Sequence, residues 1–91
     1  MAIETKAPPR SDLAIPPGET LLDVLRDRHI TQRDLAARIG VSNLAIREIC
    51  HGTAPITDTV ALGLEAVFGD LSAEFWLRLQ SSYDLTLGRT A

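Results

Sequence analysis

Three residues, Gly40-Val41-Ser42, separate two short runs of helical periodicity, and they constrain the fold more than anything else in the sequence. Before them, Leu35, Ala36 and Ile39 share one face of residues 32–39. After them, Ile46 and Ile49 share one face of residues 43–50. A link of this length is too short to return the second helix antiparallel along the first, but it suits a near-perpendicular turn built around a glycine. Such a turn needs a residue that tolerates positive φ, a small residue where the helices cross, and apolar inner faces. Gly40 meets the first need and Ala36 the second, while Leu35, Ile39, Val41, Ile46 and Ile49 meet the third.

Polar residues punctuate the chain where free backbone amides would otherwise go unpaired. Thr31-Gln32-Arg33-Asp34 has the form of a capping box, the threonine covering the first amides and Asp34 reaching back, and Ser42 caps the helix that follows. The stripe Leu21, Leu22, Leu25 predicts a helix over 18–29, with His29 placed to complement the dipole at its end. Gly52 and Pro55 end the helix over 43–50, Thr57 with Asp58 opens another over 58–68, and Ser72 opens a last one over 73–87. No stretch alternates apolar and polar residues long enough for a strand, so the expected fold class is all-α with five helices. Leu35, Ala36, Ile39, Val41, Ile46, Ile49 and Phe75 are expected to be buried. On the last helix Phe75 and Leu79 are expected to face inward, while Trp76, Tyr83 and Leu87 either reach a partner or, in the competing reading, are internal as well.

At 91 residues the chain has length for one core, read as a domain over 16–91 preceded by an N-terminal arm over 1–15. The arm holds Pro8 and Pro9 and no sustained period, which leaves open a flexible leader or a segment that orders on a partner. The net charge of −3 excludes a general nucleic-acid coat, yet residues 1–30, 31–56 and 57–91 carry −1, +1 and −3, so only the middle third is positive. A single cysteine, Cys50, and the lack of a leader-like start point to a reducing cytoplasm, and no apolar run approaches the ~18 residues of a membrane span. The glycines form no phosphate-binding loop. Cys50 and His51 diverge by about 100° on a helix. No cofactor, no metal and no enzyme activity is therefore expected.

The spacing is that of a helix-turn-helix, and Thr31 through Gly52 resembles the phage-repressor-like (Xre/Cro) helix-turn-helix family at nearly every structural position. Pro17-Gly18-Glu19, Ala54-Pro55-Ile56-Thr57 and the run from Glu74 to Leu85 look like HigA/VapI-type antitoxins, which extends the resemblance over residues 16–87. That resemblance implies a recognition helix over 43–50, with Ser42, Asn43, Leu44, Arg47, Glu48 and His51 facing the major groove of double-stranded DNA. The chemistry suits several of them. Arg47 can pair bidentately with guanine, Asn43 can read adenine or a phosphate, and Leu44 can meet a thymine methyl. Gln32 stands where a helix N-terminus meets a backbone phosphate, and Arg33 and Arg38 add charge nearby.

In one respect the chain departs from this family, whose members usually carry Lys or Arg after the recognition helix. Here the residues are His51-Gly52-Thr53-Ala54, and Glu48 sets a negative charge on the reading surface. Affinity for DNA rises with the number of phosphates neutralised, so a monomer offering Arg33, Arg38 and Arg47 needs a second copy. A homodimer through Trp76, Tyr83 and Leu87 on a palindromic operator follows.

Three functions remain open. One is an antitoxin that represses its own promoter and neutralises a basic ribonuclease toxin, a partner the acidic C-terminal third would fit. Another is a transcriptional regulator without a toxin, or one acting beside an ImmA/IrrE-type metalloprotease. The third is a protein-interaction module whose DNA face has weakened.

Overall fold

Side-chain oxygens fix where the helices begin. Thr31 Oγ1 accepts the Asp34 N–H at 3.0 Å, Ser42 Oγ the Ala45 N–H at 3.0 Å, Thr57 Oγ1 the Val60 N–H at 3.3 Å, and Ser72 Oγ the Phe75 N–H at 3.1 Å. In the computed structural model, which describes residues 15–90 with side chains to 87, these caps open α2 (Gln32–Ile39), α3 (Asn43–Cys50), α4 (Asp58–Phe68) and α5 (Ala73–Thr90). Before them α1 spans Pro17–Arg28, with Pro17 at its first position and His29 in the left-handed region, φ 58°, closing it. The described residues are all-α, as expected. All but the last residue of the expected 1–15 arm lies outside them.

Thr31 completes only half of the expected capping box. Asp34 turns its carboxylate to Arg38 at 3.1 Å. The reciprocal bond is made by Glu or Gln, and an aspartate is one methylene shorter.

Leu21, Leu35, Ile46, Leu64 and Trp76 are the largest fully buried side chains. Around them α3 packs on α2 and α1, α4 on α2, and α5 on α4 and α1. The start of α1 crosses the end of α3 with backbone on backbone: a Cβ at Gly18 would overlap the Ile49 carbonyl oxygen and stand 2.7 Å from Cys50 Cα. Gly18→Ala should therefore cost about 1–3 kcal/mol by forcing the two backbones apart. A denaturant titration checks this, and a midpoint equal to wild type would show that α1 can move aside.

The phase of α5 differs from expectation. Its inward stripe is Ala73, Trp76 and Gln80, while Phe75 and Leu79 are half-buried on the flank. Trp76, expected at a partner interface, is 0% exposed. Phe75 meets it edge-on with centroids 5.1 Å apart, and Phe68 packs on it at 6.2 Å. Trp76 is thus core and is withdrawn from the interface. Ile39 and Val41 are likewise half-buried, packed against the core from its edge.

Candidate nucleic-acid interface

Two amides lock the turn between α2 and α3. Gly40 N–H and Val41 N–H both donate to the Ala36 carbonyl, at 2.8 and 3.0 Å, and the geometry requires φ 89° at Gly40. Ser42 then starts α3 in extended conformation. The result sets α3 across α2 with Ile46, Ile49 and Cys50 turned inward. Ser42, Asn43, Leu44, Arg47, Glu48 and His51 are all exposed on its outer side. Arg33 is exposed at the start of α2 and Gln32 is half-buried beside it. Leu44 stands out on this polar face, an aliphatic side chain 56% exposed.

Ion pairing sorts the arginines. Arg26 pairs with Asp23 at 2.6 Å, Arg28 with Asp70 at 2.8 Å, Arg38 with Asp34 at 3.1 Å and Arg78 with Glu74 at 3.0 Å. Among the described residues Arg33 and Arg47 make no ion pair, and both lie on the helix-turn-helix. Exposed pairs contribute little to stability, but each one offsets a positive charge that would otherwise act on a polyanion. Arg38, expected to add to the positive surface, is offset in this way.

The exit from α3 is held by one acceptor. The Glu48 carbonyl receives Thr53 N–H at 2.9 Å, Thr53 Oγ1 at 3.1 Å and Ala54 N–H at 3.2 Å. Farther on, Ile56 N–H donates to Gln80 Oε1 at 2.8 Å. No hydrophobic period or motif in the sequence assigns Gln80 this role, and Thr53 stands out there only as part of a segment without Lys or Arg. The signal available for Gln80 was its spacing, four residues after Trp76. Cys50, at the end of α3, is a buried free thiol whose pKa burial pushes up.

At the far end of α5, the stripe that buries Trp76 and Gln80 continues through Tyr83 and Leu87. Tyr83 is half-buried and Leu87 is 42% exposed. Two open clefts of about 230 Å³ each flank Tyr83. One is closed by Gly52 to Pro55, the other by Ile15 and Thr20, and both touch Pro16 and Pro17.

Residues 16–76 match the helix-turn-helix family. Over 80 residues the chain is 32% identical to Virulence-associated protein A' of Dichelobacter nodosus, an alignment covering 88% of this chain and 70% of that protein. The fold superposes on the Pseudomonas aeruginosa antitoxin HigA, solved with the higBA promoter, with TM-score 0.80 and 34% identity over 86% of this chain and 85% of that one. It is similarly close to an addiction module antidote protein of the HigA family from Coxiella burnetii, with TM-score 0.76 and 33% identity over 81% and 80% of the two chains. By sequence over most of its length and by fold, this chain belongs to the helix-turn-helix family, among its HigA-type antitoxins.

Proposed function

We propose that this chain is a DNA-binding antitoxin that acts as a homodimer on a palindromic operator in its own promoter and neutralises a basic ribonuclease toxin. The observation that carries the DNA reading is the sorting of charge: the arginines left without an ion pair among the described residues are Arg33 and Arg47, on α2 and α3. Arg47 reads a guanine, Asn43 and Leu44 read neighbouring bases, and Ser42, Glu48 and His51 complete the face in the groove. Gln32 and Arg33 meet phosphates. Tyr83 and Leu87 form the two-fold contact. The acidic residues of 57–91 fit a basic toxin. Among the described residues no helix is long and apolar enough to cross a membrane, and the protein works beside the DNA in the cytoplasm.

The test is a binding assay on the native upstream region at several salt concentrations. Arg47 is exposed, so Arg47→Ala should leave the fold intact and weaken the operator by about 1–3 kcal/mol while random DNA loses less. Equal losses on operator and random DNA would make Arg47 a phosphate contact only. Wild-type protein that bound the upstream region no more tightly than random DNA would end the repressor reading.

A further inference from the structure

A buried amide joins the exit of the recognition helix to the helix proposed to pair the two copies. Gln80 is the buried polar side chain of the described residues, 9% exposed. Its Oε1 accepts the Ile56 N–H at 2.8 Å and its Nε2 donates to Asp84 Oδ1 at 2.9 Å. Ile56 ends the loop that leaves α3, and the near end of that loop hangs on the Glu48 carbonyl within α3. We infer that Gln80 is a positioning residue. It sets the angle of α3 relative to α5 and so, through the two-fold axis, the operator half-site spacing that the dimer accepts. This rests on the reading of α5 as the dimer helix.

Glutamine suits the position because both of its ends are used. Leucine would fill a similar volume but leave a buried Ile56 N–H unpaired. Glutamate would keep the acceptor for Ile56 but lose the donor and bring a second carboxylate against Asp84. Asp84 is exposed at its other side, so it orients the amide without being part of the core. The tether therefore has one end in the core at Ile56 and one at the surface, and each can be released separately.

Operator spacing reads this angle directly. One base pair added between half-sites turns one of them by about 34–36° relative to the other. That exceeds the 10–20° within which preorganised contacts hold, roughly. Wild-type protein should bind an operator lengthened or shortened by one central base pair at least about tenfold more weakly than the native one.

The experiment compares full-length wild type, Gln80→Leu, Gln80→Glu and Asp84→Ala on the native upstream palindrome and its two shifted forms, with sedimentation to verify the dimer. Gln80→Leu is expected to stay dimeric, bind the native operator more weakly and discriminate spacing by less than about threefold, and Gln80→Glu, which keeps the bond to Ile56, to fall between it and wild type. A dimeric Gln80→Leu with wild-type spacing discrimination would overturn the inference and leave Gln80 a packing residue. If both Gln80 variants fail to fold, Asp84→Ala decides: it frees only the surface end and should lower discrimination to an intermediate value, and no change would overturn the inference. Hydrogen exchange separates this from the repressor reading. Wild type that finds no palindrome ends that reading, whereas the tether fails if the Ile56 amide exchanges in Gln80→Leu as it does in wild type.

Discussion

Ile46→Asp is expected to unfold the protein at neutral pH. Ile46 is fully buried on the inner side of α3, an eight-residue helix that owes its place to Ile46, Ile49 and Cys50. Losing the buried isoleucine costs roughly 1.5–3 kcal/mol. The aspartate that replaces it must ionise in an apolar site or take up a proton. Taking up the proton at pH 7 costs about 4 kcal/mol for a carboxyl with an unperturbed pKa near 3.9. Domains of this size hold a margin at the low end of about 5–15 kcal/mol, so the combined loss removes most or all of it. Ile46→Val, which removes one methylene, should cost only about 0.5–1.5 kcal/mol and keep a cooperative transition. Circular dichroism melts of both variants check this. A cooperative melt of Ile46→Asp near the wild-type temperature would refute the packing scheme and release α3 from the core.

How much of this was legible depends on whether the signal was local. Thr31, Ser42 and Thr57 cap within three residues of themselves, and the expected limits of α2, α3 and α4 coincide with the observed ones. The outer face of α3 follows from the phase of Ile46 and Ile49 alone. α5 was harder, because Phe75, Trp76, Leu79 and Tyr83 offer apolar surface on more than one side. The stripe that turns inward includes a glutamine, which no hydrophobic period marks. Trp76 is buried whole, its Nε1 included, with no acceptor for that N–H in the structure, against the general habit of buried tryptophans.

Charge sorting was the other illegible part. Whether an arginine is available to a polyanion depends on where its carboxylate lies, and for Arg28 that carboxylate is Asp70, on the far side of α4 in sequence. Arg28 also donates to the Phe68 carbonyl at 3.1 Å and lies over the Phe68 ring at 5.2 Å. Its hydrogen bond holds the Asp70 carboxyl below the usual range. A count of charges along the chain treats Arg28 and Arg47 alike. The fold separates them, fixing one against α4 and leaving the other on the outer face of α3.

Tyr83→Glu is expected to give a folded monomer that loses the operator. The stripe on α5 is filled by other helices as far as Gln80, and beyond that it runs on through Tyr83, half-buried between two open clefts that Pro16 and Pro17 also line, and Leu87, 42% exposed. An apolar stripe that outlasts its own core is where a second copy can pack, and a glutamate in its middle would place two like charges near a two-fold axis. The fold should survive, because Tyr83 stands outside the buried cluster that holds Trp76. Trp76 is the only tryptophan in the chain, so its emission reports on the core without interference. Binding should suffer far more than stability. When two linked half-site contacts become one, the gain from their effective concentration is lost, a factor of about 10²–10⁴. Sedimentation at micromolar protein, Trp76 emission and operator titration together decide the outcome. Unchanged emission with a monomer and loss of operator binding would fit the interface, whereas a dimer as stable as wild type would place the two-fold contact elsewhere on the molecule.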